Sequence, residues 1–347
     1  MLLVRSTTMS DIAKKAGVSK NTVSLALRND PQIPQSTRER IKAIAEELGY
    51  QTNPTVAHLM AQIRRSPAIK ASLAMLNANL DSKAFSQHPT VPTYVEGCRR
   101  RASQLGYSLD EFWLYDPTLD GVRLEKILRA RGIRGVLIVG LMNENRLLDK
   151  FLPIWEHYPC VVTGVRTRNP ALSFTATDQH ILALRAFENA LRLGYKRPAL
   201  VLDHVIDRLV EGRFTAGYFI AQQKVPTKQR MKPFYLVTEA RKNPDLFVQW
   251  FQKEKPDVIL TLYNVVKEWV EQMGMSIPQD LGLIQLEWRK DQPTWAGMDQ
   301  HNDITGEAAV EMLIGLIHNN ESGVPDFPRA TLIGSTWKDG RTVLSRP

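Results

Sequence analysis

Two hydrophobic periods divide this chain. Between residues 8 and 50 apolar positions recur three and four apart, at Ile12, Ala13 and Ala16, at Val23 and Leu27, and at Ile41, Ile44, Ala45 and Leu48. This is the spacing of three short amphipathic helices. Their ends are marked as well. Thr8-x-x-Asp11 and Ser36-x-x-Glu39 fit capping boxes, Ser19 suits an N-cap, and Gly17 and Gly49 suit left-handed helix ends, while Pro31 and Pro34 break the chain before the third helix. Helix 1 is expected to end near Ala16, with Val18 plugging a small core. The first two helices, joined by a turn at Gly17, form a helix-turn-helix.

From about Ala71 the period changes. Short apolar runs at 72–78, 106–115, 135–141 and 160–165 read as buried strands, with helices near 93–105, 121–131 and 144–157. A second series follows, with strands near 173–177, 198–203, 233–238, 257–262 and 282–286 and helices near 179–193, 210–223, 243–254, 264–273 and 303–319. Such alternation predicts parallel sheets covered by helices on both faces. Two series in tandem predict two doubly wound lobes with a ligand cleft beyond the carboxyl ends of their strands. The expected fold class is therefore an all-α headpiece followed by an α/β domain of two parallel-sheet lobes.

Charge sharpens the division. Residues 1–66 hold ten Lys and Arg against five acids, so +5 of the chain's formal +9 lies in less than a fifth of its 347 residues. A basic excess confined to a small helical module suits phosphate neutralisation. Cys98 and Cys160 are the chain's two cysteines, without Cys/His spacing for zinc; both are expected to be packing residues in a reducing compartment, and no metal or cofactor is expected. No apolar run reaches the roughly eighteen residues of a membrane span, and MLLVRSTT is too short in apolar content for an export signal. A cytoplasmic, nucleoid-associated protein without a membrane partner is expected. The G-x-G-x-x-G, Walker A, G-x-S-x-G and H-E-x-x-H signatures are absent, so an enzyme is not expected.

The headpiece is more specific than its spacing. S-D-I-A-x-x-A-G-V-S-x-x-T-V-S at 10–24, then T-R-E-R-I at 37–41 and L-G-Y at 48–50, closely resemble the DNA-binding headpiece of the LacI/GalR (lactose-repressor) family of bacterial transcription regulators. Looser matches follow at 185–202, 274–284 and 306–313. The resemblance implies a homodimer on double-stranded operator DNA, controlled by a small polar, sugar-like effector between lobes arranged as in periplasmic sugar-binding proteins. It implies a headpiece at 1–51, a hinge and linker at 52–68, and an effector-binding and dimerisation domain at 69–347. Lobe 1 is expected at about 69–168 plus 298–324, and lobe 2 at about 169–297 plus 325–347.

The resemblance also assigns residues. Lys20, Asn21 and Leu25 match the base-reading positions of the second helix, and Thr8, Ser19 and Thr22 lie at phosphate-facing positions. Leu25 replaces a frequent family arginine, which implies a different operator. In the hinge, Asn53, Val56 and Leu59 match minor-groove positions, Leu59 as the wedge between base steps, although the family's proline is displaced to Pro54. For the effector, Asp178, Asn264 and Glu287 match polar positions of the cleft, with Val265 replacing the aspartate after Asn264. Arg208 and Arg213 compete for the cleft arginine, and Phe85 and Trp288 are candidates for stacking on a sugar face. A solute-binding protein or a sugar-acting enzyme with an incidental headpiece is the competing reading; salt-dependent duplex binding or turnover of a cleft ligand separates them.

Overall fold

The computed structural model describes residues 8–50 and 71–346. The headpiece holds α1 (Met9–Ala16), α2 (Lys20–Leu27) and α3 (Gln35–Glu47). Ile12, Ala13, Ala16, Val23, Ala26, Ile41 and Ala45 form its core, and Val18, Leu27, Ile33, Ile44 and Leu48 pack around it half-buried. Gly17 ends α1 at φ 67°, as its position predicts. The third helix begins one residue before the expected cap: Pro34 is its N-cap, and Gln35 Nε2 donates to Glu39 Oε1 at 3.0 Å in place of a Ser36 box. Pro34 fixes the entry and needs no amide partner.

In the α/β domain the first lobe runs through β1 (Ala71–Asn77), α4 (Ala84–Gln87), α5 (Val91–Gln104), β2 (Tyr107–Trp113), α6 (Gly121–Ala130), β3 (Val136–Val139), α7 (Leu152–His157), β4 (Cys160–Thr163) and β5 (Ser173–Thr177). The second holds α8 (Gln179–Arg192), β6 (Pro198–Val201), α9 (His204–Leu209), α10 (Arg213–Gln222), α11 (Val237–Ala240), α12 (Asp245–Glu254), β7 (Val258–Thr261), α13 (Val265–Gln272), β8 (Gly282–Gln285) and β9 (Ala296–Asp299). The chain then returns to the first lobe for α14 (Asn302–His318) and β10 (Ala330–Ile333) and ends in the second with β11 (Thr336–Lys338). The sheet orders are β10-β5-β4-β3-β1-β2, all parallel, and β11-β9-β8-β7-β6, parallel except for β11.

Side-chain alternation explains the layering. Leu73, Met75, Leu137 and Val139 point into the core under α5 and α14, while Ala74, Leu76, Val136 and Ile138 point to the opposite core with Leu124, Leu128 and Trp155. Each strand is apolar on both faces because each face is covered. The second sheet repeats this, with Leu200, Leu260 and Ile284 on one side and Val201, Ile259 and Leu283 on the other. Cys98 and Cys160 are both buried, and burial pushes both thiols up, Cys98 to about 12; they are packing residues.

Three expectations change. The strand at 173–177 was expected in lobe 2, yet β5 lies between β4 and β10 of the first sheet, and β10 also belongs there instead of in lobe 2. The chain leaves lobe 1 only after β5, whose five residues are all buried; the tandem pattern shows a strand but not its sheet. The expected strand at 233–238 shrinks to a single bridge, Val201 to Phe234, followed by α11. Pro233 has no amide for a ladder there. The helix expected at 144–157 is confined to α7 and a preceding 3₁₀ turn.

Helices α5 and α14 clamp lobe 1 through two glycines. A Cβ on Gly97 would lie 1.8 Å from the Asp303 carbonyl oxygen, and one on Gly306 would lie 2.2 Å from that of Tyr94. Arg100 closes the contact with Asp303 at 2.9 Å and Glu307 at 2.6 Å. Gly97→Ala is therefore expected to destabilise lobe 1 by about 1–3 kcal/mol through overpacking. Urea denaturation followed by tryptophan fluorescence measures it, and an unchanged midpoint would show that the helices can separate at no cost.

Candidate functional site

The headpiece presents the start of α2 to solvent. Ser19 caps it, its Oγ accepting from the Thr22 amide at 3.0 Å and lying 2.9 Å from Thr22 Oγ1. Lys20 and Asn21 follow, exposed, and Leu25 on the next turn is half-buried without joining the headpiece core. At α1, the Asp11 carboxylate accepts both the Thr8 amide at 2.8 Å and the Thr8 hydroxyl at 2.6 Å, so Thr8 donates at this cap. Several cations serve the fold: Lys15 pairs with Glu47 at 2.6 Å, and Arg28, Arg38 and Arg40 each donate to a backbone carbonyl. Lys20 makes no such bond among the described residues. Asn53, Val56 and Leu59, with the expected hinge helix, lie outside the described residues.

The second site is the seam between the lobes. Glu287, beyond the end of β8, is only 7% exposed and is held from both sides. Its Oε2 accepts from Thr90 Oγ1 of lobe 1 at 3.0 Å and from Arg289 at 2.8 Å, and its Oε1 accepts from Asn302 Nδ2 at the start of α14 at 3.0 Å. His88 Nδ1 accepts the amides of Thr90 and Val91 at 3.1 and 3.3 Å, fixing the entry to α5. Burial pushes the His88 pKa down against the pull of Glu287, which keeps that ring nitrogen free to accept.

Other expected cleft residues are placed around this carboxylate or spent on the fold. Asn264 Oδ1 accepts from Gln285 Nε2 at 2.9 Å. Trp288 carries Lys338 Nζ 5.3 Å from its ring centre, and its buried indole Nε1 has no partner among the described residues. Asp178 caps α8, accepting from the Ile181 amide at 3.2 Å. Phe85 packs, half-buried, against the core of the first lobe.

The two competing arginines take separate places. Arg213 lines a cavity of about 10 Å³ with Arg166, Phe174, Gln179, Leu209 and Glu211, and its guanidinium lies 5.6 Å from the Phe174 ring centre. Burial, and then the Arg166 charge, push the Arg213 pKa down. Arg208 lines the adjoining open hollow of about 560 Å³, whose walls come from 144–146 and 168–169 of lobe 1 and 207–212 of lobe 2. Leu209, from the second lobe, is buried in the first lobe's core, and Asn145 Nδ2 donates to its carbonyl at 2.7 Å. The sequence reading missed Thr90, Arg166, Glu211 and Asn302. Arg166 was within reach, because it follows the carboxyl end of β4, where open parallel sheets place ligands.

Residues 8–53 match the family model described as bacterial regulatory proteins, lacI family. The HTH-type transcriptional regulator MalR of Streptococcus pneumoniae serotype 4 is 24% identical over 248 residues, 72% of this chain and 69% of that protein. Among solved structures, the transcriptional regulator CelR–cellobiose complex is 17% identical with a TM-score of 0.57, covering 97% of this chain and 99% of its own. The Lac repressor dimer bound to operator and the anti-inducer ONPF is 17% identical with a TM-score of 0.55, covering 98% and 100%. At such identity the two structures speak for the fold, and the proteins matched are transcriptional regulators, not enzymes. Residues 8–53 thus carry the exposed helix-turn-helix that the lacI family model describes, and the two-lobed domain behind it shares its fold with these transcriptional regulators.

Proposed function

We propose that this regulator is a homodimeric repressor whose headpieces occupy the half-sites of a near-palindromic operator, and that a small polar, sugar-like effector bound between the lobes controls it. The observation that carries the DNA reading is the exposed start of α2, where Lys20 and Asn21 stand free at the end that a recognition helix brings to base edges. Asn21 suits an adenine edge and Lys20 a guanine, Leu25 offers an apolar touch, and Thr8, Ser19 and Thr22 face phosphates. In this reading 1–51 is the headpiece and 52–68 the hinge and linker, with Asn53, Val56 and Leu59 in the minor groove. The remaining chain is the effector domain, divided between lobes by the sheets.

The effector reading rests on the seam. Asp178, Arg208, Arg213, Asn264, Glu287 and Trp288 are assigned to it, and the related CelR fold was solved with cellobiose. Glu287 bonds both lobes at once, so a ligand that competes for that carboxylate prefers one lobe arrangement over another. Such differential affinity is what control requires.

Selection from random duplexes tests the reading and yields the operator. Deleting 1–66 is expected to abolish specific binding while leaving a folded α/β domain by circular dichroism; specific binding that survives the deletion refutes the assignment. In the full chain, Asn21→Ala is expected to cost about 1–3 kcal/mol of operator affinity and to relax preference at one base pair, read by mobility shift on single-substituted operators. A uniform loss across all bases would make Asn21 a phosphate contact.

A further inference from the structure

Along the seam, four guanidiniums meet one paired carboxylate. Arg166 and Arg168 follow β4 in lobe 1, and Arg208 and Arg213 flank Glu211 in lobe 2. Glu211 bonds across to lobe 1, 3.1 Å from Arg168 Nε and 3.5 Å from Arg166. Neither Arg208 nor Arg213 has a carboxylate within ion-pair reach among the described residues. The other acids nearby are engaged or stand apart: Asp207 accepts from the Thr215 hydroxyl at 2.7 Å, Asp178 caps α8, Asp149 pairs with Arg146, and Glu144 lies on the lobe 1 wall of the hollow.

Arg213 is the anomaly. It shares the Phe174 ring with Arg166, the two guanidinium carbons lying 5.6 and 5.1 Å from its centre, so two like charges sit against one aromatic ring. A half-buried charge without a counter-ion is costly, and a guanidinium fork matches a carboxylate or phosphate. A second, independent observation points into the same cavity. Gln179 is 4% exposed, lines it, and has an Oε1 with no donor among the described residues. The cavity itself, about 10 Å³, holds no more than a water, but it shares Glu211 with the 560 Å³ hollow, which is of ligand size. Glu211, which lines both, lies in the left-handed region at φ 59°, which a Cβ disfavours.

We propose that the effector is an anion, a sugar carrying a carboxylate or a phosphate. Its anionic group binds Arg213 and Arg166 over Phe174, a hydroxyl donates to Gln179 Oε1, and Glu211 is displaced from the arginines it neutralises in the free protein. The carboxylate of Glu211 thus stands in the anion's place until the effector arrives. This deepens the reading of the seam as the effector site and rests on it.

Calorimetry on the full chain tests it with glucuronate, glucose 6-phosphate, inorganic phosphate and glucose. Glucuronate or glucose 6-phosphate is expected to bind, and which of the two does so tells carboxylate from phosphate. Arg213→Gln is expected to weaken that binding by at least about tenfold, the scale of one charged hydrogen bond. Glu211→Gln, which removes the competing carboxylate and leaves the arginines in place, is expected to strengthen it several-fold and so guards against a folding defect in the first variant. The proposal is overturned if neither sugar anion binds, if only glucose binds, if both variants match the wild type, or if inorganic phosphate binds as tightly as the sugar anions, which would mark an adventitious anion only. Operator affinity measured with the same four compounds separates the two readings: a response to glucose alone sinks the anion and keeps the effector site, whereas no response to any of them counts against the site itself.

Discussion

A carboxylate taken almost wholly out of water must be met by donors, and in this protein the donors that meet Glu287 stand on both sides of the seam. Thr90 and Asn302 belong to elements packed in lobe 1, at the starts of α5 and α14, while Glu287 and Arg289 follow β8 in lobe 2. The lobes otherwise keep separate cores, and Leu209 and Val210 are the apolar side chains that reach from the second to the first. Lobe arrangement is therefore set mainly by polar contacts, which a polar ligand can rewrite without disturbing either core. Apolar packing resists such rewriting, since it has no partner to exchange.

How much of this was legible follows from what each signal measures. Helices α1 and α2 came directly from period and capping, because a helix of eight residues is settled by neighbours within a turn; Lys20 and Asn21 were singled out by the family resemblance. The strands came from apolar runs, but β5 and β10 were placed in the wrong lobe. A run such as Ser173–Thr177 says that a strand is covered on both faces and is silent about which sheet covers it. That is decided by β4 and β10, one close by in sequence and the other about 150 residues away.

The seam was legible in part for the same reason. Glu287, Arg208 and Arg213 were found by their place in family motifs, but Thr90 and Asn302 carry no motif and become partners of Glu287 only when the chain crosses back between lobes. His88 has no ligand-type side chain at ligand spacing in the sequence. Its partners are backbone amides of its own loop, a bond that no side-chain pattern reveals. Phe85, chosen for its aromatic face, went to the core, the commoner fate of an aromatic beside a parallel sheet.

The two carboxylate ties across the seam differ in how they can be broken. Glu287 is bonded through three neighbouring side chains, one of them an arginine of its own loop, so removing Thr90 would still leave the carboxylate neutralised. Glu211 depends on Arg166 and Arg168, both of the opposite lobe. Its release frees two guanidiniums at once. On the proposed reading of the seam, the first tie holds the lobes in register and the second is the one an effector would displace. The chain passes between lobes at 178, at 300–301 and at 334–335, with the Asp178 amide bonded to the Ile333 carbonyl at 2.9 Å, so any movement of one lobe on the other must bend these three neighbouring segments together.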